Sequence, residues 1–352
     1  MPSLTEISES ARKAIKYGAV VLLIILILKL GYNIIKDYWE KTHSKQAPPN
    51  MAFGQIPPIQ FPQTEQPQIS AYRLETKTGE LPELATQSKV FLSPYQRPNL
   101  LAAENAKEDA SRLGFKDKPQ KISDNIYRWT ETDPVNSILE MDIFNGSFSL
   151  FYDWQNYKEE LLRLPPPKSE SAIEQAKSFL NKAGKLQDDL RDGRFETEYL
   201  RIQGLRMLPA PSLSEANLTK VEIFRQSIDK IPVITADPNK GIVSLIFSSA
   251  GSGKRILKAG FNYFPVNYDS FATYPLKSVS QAWEEVKNNQ GFTSRWNPLE
   301  EKNNVVVRNI YLVFYDSWEG QQYLQPVFVF EGDDEFQALI PAITEEWAPT
   351  QN

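Results

Sequence analysis

The sequence predicts an α+β protein, with an N-terminal transmembrane helix followed by repeated units of one helix packed on an antiparallel sheet. Three observations predict it. One long apolar run lies near the start of the chain. Beyond it come three amphipathic helical patterns that each stop at a glycine, and strands that alternate apolar and polar residues around turn signals follow each of them.

Residues Tyr17–Leu28 read YGAVVLLIILIL without a charge. The apolar pattern extends over 15–35 if Lys16 and Lys29 lay their stems along the span and their ammonium groups outside it. A helix of that length covers about 31 Å, the thickness of a hydrocarbon core. Tyr17, Tyr32, Tyr38 and Trp39 stand where interfacial aromatics belong. A cleaved signal peptide would need a small-x-small site after the run, and the residues there are Lys29-Leu30-Gly31-Tyr32-Asn33. A buried core helix fits poorly with the flanking lysines. The basic leader of Arg12, Lys13 and Lys16 places residues 1–14 in the cytoplasm, although Lys36, Lys41 and Lys45 on the other side nearly balance it. The bilayer is then a partner of residues 15–35, and the protein is single-pass in the plasma membrane with its folded region outside the cytoplasm.

Residues 36–68 form a proline-rich stalk. Six prolines between 46 and 68 exclude a helix and favour extended polyproline-like chain, with a reach of about 70 Å. Phe53, Ile56, Ile59 and Phe61 also allow this stretch to dock on the first domain.

The first helical pattern spans 100–113. Ala103, Ala106, Ala110 and Leu113 make one stripe, and Gly114 stops it. The second spans 172–183, with Ser171 and Glu174 as a capping box, and ends at Gly184. The third spans 279–288, capped by Ser278 and Gln281, with Val279, Ala282, Trp283 and Val286 inward and Gly291 beyond it. Strands at 137–144 and 147–154 flank Asn145-Gly146, a strong hairpin signal. Further hairpins are expected at 242–264 and 305–331. The Pro165-Pro166-Pro167 run marks a boundary, giving a first α+β unit at 69–163, a second region at 169–343 built of two helix-plus-sheet units, and a tail at 344–352.

The helix wording and the meander that follows it resemble PepSY-like modules. Residues 272–343 are similar to the closing section of YycI-like extracytoplasmic regulatory proteins. The similarity rests on Tyr274-Pro275-Leu276-Lys277-Ser278, the strand VVVRNIYLVFYD at 305–316, the run from Tyr323 to Phe330, and Leu339-Ile340-Pro341-Ala342. The resemblance implies a non-enzymatic module that binds or restrains a membrane partner such as a sensor kinase or a protease. It implies no catalytic, metal-binding or cofactor-binding residues, and no cofactor.

Composition narrows the chemistry. The chain has no cysteine, which excludes disulfides, thiolate nucleophiles and cysteine zinc sites. Its one histidine, His43, lies in a polar stretch, where nothing would hold it for triad or zinc chemistry. Residues 1–68 carry seven Lys/Arg and five Asp/Glu, leaving 32 and 39 for the rest, a net of −7 (39−7 and 44−5). An acidic folded region argues against nucleic-acid binding. Ser248-Ser-Ala-Gly-Ser-Gly-Lys-Arg255 lacks the first glycine and the final Ser/Thr of a phosphate loop. Asp188, Asp192 and Gly193 fail as a calcium loop, because Leu190 and Tyr199 hold ligand positions. Phe261, Tyr263, Phe264, Tyr268, Phe271 and Tyr274 are the candidate ligand surface, although aromatics at strand spacing are more often core or cross-strand pairs. The expected function is a membrane-tethered binding or regulatory module. The alternatives are an envelope hydrolase that uses carboxylates alone, with two facing acids about 5–10 Å apart, and a structural envelope protein.

Overall fold

The computed structural model describes residues 17–18, 23, 25–33, 35–36, 47–94, 100–132, 135–250, 255–297 and 304–349. The chain divides into two units, Met1–Pro48 and Pro49–Asn352. In the first, the described residues between 17 and 36 are helical, and Leu23, Ile25, Leu26, Ile27 and Leu28 are each more than half exposed. The expected span at 15–35 lies partly outside the described residues, and the basic leader, Lys41, His43 and Lys45 lie wholly outside them. Among the described residues no helix is long and apolar enough to cross a membrane.

The second unit is α+β, mostly sheet with few helices, and is built on two sheets. A nine-stranded antiparallel sheet runs in the order Gln120–Lys121, Ile126–Glu131, Ser137–Asp142, Phe148–Tyr152, Ile256–Phe261, Val243–Phe247, Leu218–Phe224, Arg194–Gln203 and Arg206–Pro209. An eight-stranded mixed sheet has Ala71–Leu74, Asn304–Tyr315, Tyr323–Gly332, Gln337–Pro341 and Phe292–Arg295 along its main path. Gln87–Leu92 joins it to Asn267–Pro275, and Val233–Ile234 lies parallel to Asn304–Tyr315.

The first two helices share the nine-stranded sheet. In Ala102–Arg112 the buried residues are Ala102, Ala106 and Ala110, so the stripe begins at Ala102, while the expected Ala103 is exposed. In Ser169–Lys182, Ala172, Ala176 and Leu180 are buried. Their alanines share one core with Trp129, Leu139, Met141, Phe148 and Phe247, and the second helix lies against Leu218–Phe224 and Arg194–Gln203. This helix starts before the expected capping box. Its first residue, Ser169, follows Lys168 in extended backbone, and the Ser169 hydroxyl is within 3.1 Å of the Tyr199 hydroxyl instead of capping. The third helix, Val279–Lys287, carries the expected capping box of Ser278 and Gln281. It packs Ala282, Trp283 and Val286 against Phe328, Phe330 and Ile340 of the eight-stranded sheet. Gly291 beyond it has φ +99°, and a Cβ there would lie 2.8 Å from the Leu339 carbonyl oxygen, so glycine is required.

Two sequence expectations change. The boundary at 164–168 does not separate the sheets. Phe148–Phe151 pairs with Lys258–Phe261 across it, while Ala71–Leu74 and Gln87–Leu92, assigned to the first unit, belong to the C-terminal sheet. Three repeated helix-on-sheet units are therefore not what the topology presents. The stalk changes too. From Pro49 onward it is a strap docked on the eight-stranded sheet, not on a first domain. Ile56 and Ile59 are buried, and Phe61 stacks on Phe292 at 5.1 Å. The Met51 amide donates to the Thr273 carbonyl (3.0 Å) and the Ile56 amide to the Trp347 carbonyl (2.8 Å). Tyr274 Oη donates to the Gly54 carbonyl, and Gln325 Nε2 to the Pro57 carbonyl. Prolines leave carbonyls free to accept, which suits a strap held by side-chain donors.

Candidate functional site

The Asn145-Gly146 turn is wider than a two-residue hairpin. The strands end at Asp142 and resume at Phe148, because the Asp142 carboxylate accepts from the Phe144 and Asn145 amides at 2.8 and 3.3 Å. The Gly146 amide donates to the Asp142 carbonyl, and Asn145 Oδ1 accepts from the Ser147 amide. Ile143, Phe144, Asn145 and Gly146 are thereby lifted out of the ladder to form one wall of a cleft of about 320 Å³.

The other walls come from three further segments. The helix Ala102–Arg112 presents Ala102, Asn105, Ala106 and Asp109, at the spacing of one helical face. Gly184, Lys185 and Gln187 follow the second helix, Phe261 ends a strand with Tyr263 and Pro265 just beyond it, and Met141 joins the lining from the strand that leads into the turn. Lys185 Nζ lies 2.6 Å from Asp109 Oδ2, and both side chains are largely buried. Among the described residues Asp109 is the one carboxylate lining the cleft.

Tyr263 ties the cleft to a buried ionic cluster. Its hydroxyl donates to the Asp189 carboxylate at 3.1 Å, and Tyr268 Oη donates to Asp189 Oδ2 at 2.7 Å. Arg225, fully buried, donates through Nη1 to Asp189 (2.5 Å), through Nε to Asp316 (2.6 Å), and through Nη2 to the Phe264 carbonyl. The guanidinium lies over the Tyr263 ring at 4.3 Å. Burial pushes the Tyr263 hydroxyl up to about 12, with the Asp189 charge adding to it against the opposing guanidinium. Burial raises Tyr268 further. Burial also pushes Asp316 up, against the pull of Arg225. Burial works against the Arg225 charge, but Asp316 and Asp189 outweigh it and hold the guanidinium above its ordinary value.

The six aromatic residues named from sequence do not share one surface. Phe261 and Tyr263 meet at the cleft, although Phe261 is buried and stacked on Phe148 at 5.3 Å. Phe264 packs against Gly320 and lends its carbonyl to Arg225. Tyr268 is edge-on to Phe91. Phe271 is exposed beneath Lys89, whose ammonium lies 4.6 Å from the ring centre. Tyr274 is buried in the core under the strap. Two different sheets divide the run, so a contiguous stretch of sequence does not make a contiguous face. Sequence reading missed Asn105, Asp109, Lys185 and Gln187. Asp109 and Lys185 are 76 positions apart, and the signal that joins them is that each sits near the end of a helix of the same helical layer.

No family model matches the chain, and no curated protein matches it. Among solved structures it is similar to an uncharacterized protein from Eubacterium rectale ATCC 33656, at 10% sequence identity and a TM-score of 0.33, over 76% of this chain and 85% of that chain. So slight a likeness carries no argument about fold or function.

Proposed function

We propose that this is a single-pass, membrane-tethered binding or regulatory module, non-enzymatic, whose folded unit lies outside the cytoplasm and engages an envelope or membrane partner through the cleft beside Lys185. The cleft is the observation that carries this reading. It is concave, formed by four chain segments, and lined by unengaged polar side chains around one ion pair. The exposed apolar side chains between Leu23 and Leu28 support the tether, since a row of uncovered leucines and isoleucines needs an apolar surround. A carboxylate-only hydrolase is less well supported. Asp109 is the one carboxylate among the described residues lining the cleft, and the acids that come together elsewhere share a cation: Asp189 and Asp316 at Arg225, Glu198 and Glu222 at Lys220, and Glu75 and Asp333 at Arg308.

The test is crosslinking in intact membranes followed by recovery of the full chain, comparing wild type with Asn105→Trp. Asn105 is exposed on the cleft wall, so the indole blocks the cleft without disturbing the core. The wild type is expected to recover a membrane or envelope component that the variant loses. Identical recovery by both proteins would refute the cleft as the binding site.

A further inference from the structure

We propose that the cleft binds a neutral saccharide of one or two rings, an assignment of ligand class that rests on the binding role proposed above. Its charge comes first. Among the described residues Asp109 and Lys185 are the ionic side chains lining it, paired at 2.6 Å. Arg112 stands 3.7 Å from Asp109 and is itself bound to Glu108, so the two cations and two carboxylates balance. An anion would gain the ammonium only beside the Asp109 carboxylate, and a cation would meet Lys185 in the same way. A neutral ligand suffers neither conflict. A pair of neighbouring hydroxyls can accept from Lys185 and donate to Asp109 together.

The free hydrogen-bonding groups point the same way. The Asn105 and Gln187 carboxamides make no hydrogen bond to any described residue, and Asn145 keeps its Nδ2 free while Oδ1 is engaged by the Ser147 amide. A carboxamide offers two donors beside an acceptor, which matches the mixed donor and acceptor character of ring hydroxyls. The wall at Ile143 and Phe144 supplies an apolar face for ring C–H groups. An extended peptide fits worse. Binding one by strand addition needs unpaired backbone donors, and the Phe144, Asn145 and Gly146 amides are all consumed by Asp142. The volume, about 320 Å³, lies at the small end of ligand pockets.

The experiment is saturation-transfer NMR on the full chain, held in a detergent without sugar headgroups. The probes are N,N′-diacetylchitobiose, maltose and cellobiose, with inorganic phosphate and glycine as charged competitors. Transfer to the ring protons of at least one disaccharide is expected. It should fall at least fivefold in both Asn105→Ala and Gln187→Ala, which alter exposed side chains, and should be unchanged by either competitor. The proposal is overturned by no transfer from any of the three sugars, by transfer that both variants retain in full, or by displacement with phosphate or glycine. If the sugars fail while Asn105→Trp still abolishes partner recovery, the saccharide assignment falls and the binding role stands. If Asn105→Trp recovers all that the wild type does, the binding role falls as well.

Discussion

Arg225 holds a guanidinium out of water between Asp189, which precedes the nine-stranded sheet's long strand, and Asp316, which directly follows a strand of the other sheet. Removing one partner of such a cluster strands the remaining charges in a medium that cannot solvate them. Arg225→Met is therefore expected to lose about 3–5 kcal/mol of stability, read from urea unfolding of the full chain. The cluster also has a direction with pH. One guanidinium faces two carboxylates, so full ionisation leaves an excess negative charge in a buried place, and burial accordingly pushes Asp316 up. A carboxyl whose folded pKa exceeds its unfolded value binds its proton more tightly in the fold. Its stabilising contribution is present below the ordinary carboxylate range and is lost as pH rises through the raised value. Exposed acids such as Asp333, held low beside Arg308, pull the opposite way. The informative quantity is thus a difference. The urea midpoint of wild type relative to Asp316→Asn should decline between about pH 4 and pH 7. A difference that grows over that window would contradict the assignment.

At the scale of elements, what was legible in the sequence was local. Ser278 and Gln281 announce a helix start because the capping box closes within one turn, and alanine spacing announces the faces of the first two helices because packing repeats every 3.6 residues. The strap shows where local reading stops. Its prolines exclude a helix, yet extended chain is equally suited to standing free and to lying on a sheet, and only Thr273, Gln325 and Trp347, more than two hundred positions away, decide between them. The cleft was half legible for the same reason. Phe261 and Tyr263 stand out as aromatics, whereas Asn105 and Gln187 look like ordinary surface positions until two helix ends meet. If the strap is structural, Ile56→Ala, at a side chain 2% exposed, should cost about 2–4 kcal/mol in chemical denaturation. A free spacer would show no loss there.

At the scale of the whole second unit, the sheets are assembled from distant parts of the chain, and this determines which fragments can fold. Residues 69–163 contain a helix, a hairpin and a proline-marked end, and so look separable. Their strands are nevertheless committed elsewhere. Ala71–Leu74 lies parallel to residues 304–307, Gln87–Leu92 pairs with Asn267–Pro275 and Tyr323–Leu324, and Phe148–Phe151 pairs with Lys258–Phe261. Cutting at 163 also removes Ala172, Ala176, Leu180, Val221, Leu245 and Phe247 from the core they share with Leu139 and Phe148, opening it to water. What remains buries too little apolar surface to offset the chain entropy of folding. A fragment of residues 69–163 is therefore expected to give the narrow amide dispersion of an unfolded chain, while residues 49–352 give a dispersed spectrum and one cooperative thermal transition. Cooperative folding of the short fragment would show that the hairpin and first helix form a domain without the C-terminal strands. The pairing of Phe148–Phe151 with Lys258–Phe261 would then be a contact between domains, and the cleft, whose walls come from both sides of residue 163, would lie at a joint able to open.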